Sequence, residues 1–419
     1  MTQWIKAENV AELLKPGMTV FIASVTAEPR EILAALARQG ESCAGVRFVS
    51  VSIPGINSGN FTDYHEEIRA TAFFATPENR KAIAAGRIDF IPMQYRAIYD
   101  YLEHELDIDI AIIQLPPVGD GDFSVGIGSD FSSAVIEKAA MVIGEINQRQ
   151  PSAPDAQRFP LSQLDFAVAC ARPVATFHQS VLDNTARIIG GHVADLIGDG
   201  DCLQIGIGSI PDATLAALTD KSDLGFHSGM ISGGVKTLIN NGNMTGQNKA
   251  IDTGRHVTGV ALGDDAFIDW AGNAPDISFR PVSYTHDIGV LRQIDNFVSI
   301  NSTVEIDLFG QVNAEMLAGK QISGTGGGVD MMRGAAVSRG GRSIVALSAT
   351  AGAGRFSRIV ATLPPGNAAT ALRTDVDYIV TEYGARKIRH MSVKQRAETL
   401  IEIAAPEFRD QLREDWRLN

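Results

Sequence analysis

The 419 residues are 45% hydrophobic and 20% charged, with 36 basic against 49 acidic side chains and a formal net charge of −13. That balance excludes nucleic acid and an anionic membrane as main partners. The length exceeds the roughly 250–300 residues at which a single core stops growing, so two domains are expected. Cys43, Cys170 and Cys202 lack metal-type spacing and read as reduced thiols in or near the core. The first residues, Met1-Thr2-Gln3-Trp4-Ile5-Lys6, do not form a signal peptide, and no apolar run reaches about 18 residues, so a cytoplasmic protein is expected.

In chain order, residues 8–14 predict a short helix stopped by Pro16-Gly17, and residues 18–25 a buried strand. Pro29 then opens a helix in PREILAALAR, at the first turn where proline is tolerated. Further strands are expected at 46–52, 88–92, 109–115 and 165–170, with helical stretches between them in ENRKAIAAG, YRAIYDYLEHEL and FSSAVIEKAAMVIGEIN (131–147). Apolar strands alternating with helices indicate a parallel sheet covered on both faces. The domain boundary is placed near residue 180, giving α/β domains at 1–180 and 181–419.

The second half begins as the first does. Residues 13–38 can be laid on 196–220 with one residue dropped, so that Gly17 meets Gly200, Pro29 meets Pro211 and Leu33-Ala34-Ala35-Leu36 meets Leu215-Ala216-Ala217-Leu218. Residues 180–197 carry helical spacing, and CLQIGIG predicts a strand running into a helix opened by Ser209-Ile210-Pro211-Asp212. Such a strand–glycine–helix junction offers free N–H groups and a helix dipole to a phosphate. Gly206-Ile207-Gly208 is nevertheless not a dinucleotide fingerprint, because the third glycine and the acid are missing. A second glycine cluster, Ser323-Gly324-Thr325-Gly326-Gly327-Gly328, reads either as backbone that touches a ligand or as a surface loop. Residues 343–348 and 375–384 predict later strands, and RAETLIEIA and EFRDQLREDW close the chain as helices.

The most unusual stretch is Leu224-Gly225-Phe226-His227-Ser228-Gly229-Met230-Ile231-Ser232-Gly233-Gly234-Val235, which fits neither helix nor strand period. No pair of the eight histidines has zinc-like spacing, so no metal site is expected, and no G-x-S-x-G elbow marks a serine hydrolase. Carboxylates remain as the source of covalent reactivity. The candidates are Glu66, Glu67, Glu305, Glu315 and Glu382.

Taken together, several segments resemble the acetyl-CoA hydrolase/transferase family of class I CoA-transferases. They are Gly206–Pro211, Leu224–Val235, Ser299–Gln311, Gly324–Arg333, Ser357-Arg358-Ile359-Val360 and Val380-Thr381-Glu382-Tyr383-Gly384, with Leu115-Pro116-Pro117, Gly121 and Gly128 in the first half. The resemblance implies two similar open α/β domains of NagB/RpiA type with the active site in the cleft between them. It implies coenzyme A bound as a substrate by Gly206, Gly208, Gly229, Met230, Gly324, Gly326, Gly327 and Gly328; His227 and Ser228 of the loop, with Arg69, are the candidates for holding the carboxylic acid. It also implies a homo-oligomer, dimer or tetramer, and a ping-pong reaction through a glutamyl-CoA thioester.

One departure stands out. The family loop reads His-Thr-Glu-Met followed by Ser-Asp-Gly, whereas this chain has His227-Ser228-Gly229-Met230 and Ser232-Gly233-Gly234. Glycine occupies the place of the nucleophilic glutamate. Three readings follow: a glutamate from elsewhere supplies the chemistry, with Glu67 preferred over Glu66; water attacks the thioester, giving a hydrolase; or the protein is a silent CoA binder. Arg69, Arg80 and Arg355 leave a dicarboxylate acceptor open.

Overall fold

The computed structural model describes residues 2–57, 59–119, 121–175 and 182–417. Near the N-terminus, eight strands form one parallel sheet: β1 (Gln3–Ile5), β2 (Thr19–Ile22), β3 (Arg47–Ser50), β4 (Arg69–Ala72), β5 (Ile88–Phe90), β6 (Ile110–Leu115), β7 (Met141–Asn147) and β8 (Phe166–Cys170). Their spatial order is β1-β8-β7-β6-β2-β3-β4-β5. Every residue of β6 is buried, as expected for a central strand covered on both faces.

A second sheet has the order β10-β9-β11-β12-β13-β14, made of β9 (Cys202–Ile205), β10 (Gly225–Phe226), β11 (Phe297–Ser302), β12 (Arg342–Ala346), β13 (Tyr378–Thr381) and β14 (Gly384–Lys387). All of its pairings are parallel except β13 with β14.

The internal echo has a structural counterpart. The alignment of Gly17 with Gly200 lays β2 on β9, and both glycines hold positive φ, 88° and 78°. Each strand lies between its sequence successor and a strand reached by a long crossover, β3 and β6 in one sheet, β10 and β11 in the other. The expected boundary at residue 180 lies outside the described residues.

Helix α1 (Arg30–Arg38) shows how the first layer is held. Its buried Ile32, Leu33 and Leu36 face the core, each contributing roughly 1.5–3 kcal/mol by burial. Its first turn leaves N–H groups unpaired within the helix, and the Ile32 N–H donates to Glu145 Oε2 at 2.8 Å. Glu145 projects from β7, is fully buried, and is neutralised by Arg172 at 2.5 Å.

The reading of 131–147 as one helix is corrected. Residues Ser132–Lys138 form a helix, and Met141–Asn147 are β7. Six of the seven β7 residues are buried, so the polar alternation that betrays a strand is absent. The expected helix at 8–14 is a 3-10 helix over Ala7–Leu13. Among the described residues, no helix is long and apolar enough to cross a membrane.

Candidate active site

In open parallel sheets, ligands gather outside the carboxyl ends of the strands. Here the carboxyl ends of both sheets converge on one cavity of about 170 Å³. The first half supplies Val25, Ile53, Ile56, Phe74, Tyr95 and Asp130, which follow β2, β3, β4, β5 and β6. From the second half, Ile207 follows β9, and Gly229 and Met230 follow β10. Val260 and Leu262 complete the apolar wall, with His286, Gly326 and Gly327 at one end. Among the described residues no lysine or arginine lines the cavity, and Asp130 is its one carboxylate.

The loop that dominates the sequence reading therefore reaches the cleft, but only in part. Gly229 and Met230 line the cavity. His227 and Ser228 face the protein interior: the His227 Nε2–H donates to Thr285 O at 3.2 Å, and the Ser228 hydroxyl donates to Ile205 O at 3.2 Å. Burial, reinforced by the nearby Lys249 charge, lowers the His227 pKa to about 3, so the ring is neutral. Both residues support the loop from beneath, which corrects their expected contact with the carboxylic acid.

Glycine at 229 leaves room for a neighbouring imidazole. A β-carbon there would lie 2.6 Å from His286 Cε1. One at Gly327 would lie 2.3 Å from His286 Nε2, so the imidazole sits between the two glycine loops. His286 is buried, its Nδ1 is 2.9 Å from Thr285 Oγ1, and its ring centroid is 5.0 Å from that of Tyr95. Desolvation, with a smaller contribution from Arg96, lowers its pKa to about 3. The space beside residue 229 thus holds a neutral imidazole.

Asp130 lines the same cavity as Gly229 and His286. Tyr95 donates its hydroxyl to Asp130 Oδ2 at 3.3 Å, and Oδ1 is buried without a hydrogen-bond partner. Desolvation raises the Asp130 pKa to about 7, against which the Tyr95 hydrogen bond acts.

The remaining predicted residues separate clearly. Gly324 packs the second glycine loop on the first half, since a β-carbon there would meet Phe73 O at 2.1 Å. Gly326 and Gly327 line the cavity, while Thr325 and Gly328 line a second, neighbouring one of about 150 Å³ with Asn301, Ser302 and Thr370. Gly328 also opens the helix Gly328–Val337, whose N-terminus lines this second cavity. Gly206 and Gly208 flank Ile207, and Gly208 caps the helix Ser209–Ala216.

Glu66, Glu67 and Arg69 are corrected. All three are exposed at the amino end of β4, whereas the cavity is reached by Phe74 beyond its carboxyl end. Between Glu67 and Phe74 lie roughly 20 Å of extended chain. The Arg69 guanidinium donates to the carbonyls of Glu66 and Ile68. Of the other acids, Glu305 accepts from Asn313 and Asn367 at 2.7 and 2.6 Å, Glu315 from Gln321 and Thr370, and Glu382 from the Ala349 N–H. Arg80 donates to Ile322 O, and the exposed Arg355 lies over Phe356.

Asp130, Tyr95 and His286 escaped the sequence reading. A signal for Asp130 existed: it ends a glycine-bearing turn beyond the central strand β6, at the edge where open α/β sheets place their chemistry. A wider, polar depression of about 370 Å³ lies between residues 148–152 and 265–273, and it contains the Arg149–Asp265 ion pair at 3.2 Å. Neither glycine loop enters it.

Residues 1–177 match the acetyl-CoA hydrolase/transferase N-terminal domain, and residues 263–416 match the C-terminal domain of the same name. The chain is 35% identical to the 4-hydroxybutyrate coenzyme A transferase of Clostridium kluyveri, over 99% of this chain and 97% of that one. It is 34% identical to the succinyl-CoA:cyclohexane-1-carboxylate CoA transferase of Geobacter metallireducens, over 98% and 94%. The crystal structure of RipA from Yersinia pestis superposes with a TM-score of 0.93 at 32% identity, covering 99% of this chain and 97% of that one.

Proposed function

Since the chain belongs to the acetyl-CoA hydrolase/transferase family, we propose that it transfers coenzyme A between an acyl-CoA and a small monocarboxylic acid, by a ping-pong reaction through an enzyme carboxylate. The observation that carries the substrate class is the apolar, cation-free cavity between the two halves. At about 170 Å³ it is small beside the roughly 300–1,000 Å³ of drug-sized sites, which suits a short acyl chain. A second carboxylate on the substrate would be desolvated there without a partner, at a cost of several kcal/mol (order of magnitude). Arg69, Arg80 and Arg355, which left a dicarboxylate open in the sequence, lie away from the cavity.

Coenzyme A fits across the second glycine loop in this reading. The thioester enters the apolar cavity past Gly326 and Gly327, and the pantetheine chain follows the second cavity beside Asn301, Thr325 and Gly328. The absence of a glutamate at 229 removes support for a glutamyl-CoA intermediate formed at that position.

Hydrolysis is the second reading, favoured by Asp130, the cavity's one carboxylate among the described residues, which titrates near 7 and could accept a proton from water. One assay separates the two. The protein is incubated with butyryl-CoA and a series of unlabelled acids, and new thioesters and free CoA are followed together. Transfer to acetate, butyrate or 4-hydroxybutyrate, with little to succinate, is the expected result. Steady release of free CoA with no acceptor thioester would overturn the transferase reading.

A further inference from the structure

We infer that Asp130, a residue of the first half, is the carboxylate that carries the acyl group and then CoA, in place of the acid missing at position 229. The inference rests on the transferase reading above. Three observations converge on it.

The first is position. Segment 259–261 links the loop bearing Asp130 to residue 229: the Ser129 N–H donates to Gly259 O and the Ala261 N–H to Ile127 O, while the Gly259 and Val260 N–H groups both donate to Gly229 O at 3.0 and 3.1 Å. A β-carbon at Gly259 would lie 2.4 Å from Asp130 Oδ1 and 2.7 Å from Gly229 O. Glycine there leaves room for the carboxylate against the segment that hydrogen-bonds the backbone of the vacated position.

The second is chemical state. Asp130 is 7% exposed, and its Oδ1 has no partner, although buried polar atoms are nearly always paired. An unsatisfied buried carboxylate oxygen is destabilising, and here it lies on a group that lines the substrate-sized cavity. Tyr95 holds Oδ2, which leaves Oδ1 as the attacking atom. A carboxyl titrating near 7 is ionised in a useful fraction at neutral pH, and less hydrated than an exposed one.

The third is the lack of a rival: among the described residues no other carboxylate lines the cavity.

The steps balance without water or a cofactor. Asp130 Oδ1 attacks the thioester carbon, a C–O bond forms, the C–S bond breaks, and the electron pair leaves on the CoA thiolate. The thiolate attacks the aspartyl carbonyl of the resulting anhydride, forming the aspartyl-CoA thioester and releasing the donor as its carboxylate. The acceptor carboxylate then runs the same two steps in reverse, restoring Asp130.

The test is to trap that thioester. Wild-type protein is mixed with butyryl-CoA, reduced with borohydride and mapped by peptide mass spectrometry; the expected product is homoserine at position 130. In parallel, Asp130→Asn should lose at least roughly 10³-fold in transfer rate, while it melts no lower than wild type and keeps its calorimetric affinity for free CoA. If Asp130→Asn fails to fold, the wild-type map still decides. Modification of a different carboxylate, or full transfer by a folded Asp130→Asn, overturns the assignment and leaves the transferase reading standing. Wild-type protein that only releases free CoA overturns both.

Discussion

Replacing Asp130 by Asn should change the pH dependence of stability as well as the chemistry. Burial moves this carboxyl from its ordinary 3.8 to about 7 in the folded protein. Below pH 4 the side chain is protonated in both folded and unfolded chains. Between pH 4 and 7 the folded protein keeps a proton that the unfolded chain has released, so wild-type stability falls as pH rises through that window. At about 1.4 kcal/mol per pH unit, the full effect is about 4 kcal/mol, of which about 3 kcal/mol falls between pH 5 and 8. Asparagine cannot ionise and lacks this loss. The Tyr95 hydroxyl, which donates to Oδ2, can donate equally to the asparagine carbonyl. Urea unfolding of wild type and Asp130→Asn at pH 5 and pH 8 measures it. The variant should gain on wild type by about 3 kcal/mol over that interval. Parallel stabilities at the two pH values would refute the claim that the folded protein burdens this carboxyl by burial.

Adding one methyl at Gly229 tests the packing of the imidazole. Gly229→Ala should cost about 1–3 kcal/mol in denaturant unfolding, because the new atom would lie 2.6 Å from His286 Cε1, and Gly229→Ala/His286→Ala should be less destabilised than the sum of the single variants. Truncating Glu145 to Ala should cost about 3–5 kcal/mol, since it leaves Arg172 and the Ile32 N–H without their partner. Glu145→Gln, which retains an acceptor for the N–H, should cost less, and equal losses would contradict the capping role. Burial raises the thiols of Cys43 to about 11 and of Cys202 to about 12, so both should resist a disulfide reagent at pH 8 until the protein is unfolded. Stoichiometric labelling of either in the native protein would contradict their burial.

Much of the fold was legible because its signals are local. Gly17 and Gly200 punctuate turns, and the runs 18–22 and 202–205 are apolar enough to be buried strands whatever surrounds them. The stretch 131–147 was not legible, because a strand buried on both faces has no period of its own to distinguish it from a buried helix. The site divided in the same way. Gly229, Gly326 and Gly327 could be found by composition, since consecutive or unpatterned glycines are costly unless backbone must approach something closely. Glu66 and Glu67 could not be placed, because nothing within seven residues of sequence tells the entry of a strand from its exit. The direction of β4 puts them at the entry.

The amino-acid sequence by itself determined the class of protein: two α/β halves, glycine loops in the second, and the absence of a glutamate at position 229. Those are statements about residue type and local period, which survive any arrangement in space. Only the tertiary structure decided what stands near the missing acid. His286 fills the space where a side chain at 229 would begin, and Asp130, from a different half of the chain, lies against Gly259, which hydrogen-bonds the carbonyl of residue 229. Residues 130, 229 and 286 are brought together by strand crossovers and loop-to-loop hydrogen bonds, and contacts of that sequence separation leave no periodic trace in the sequence.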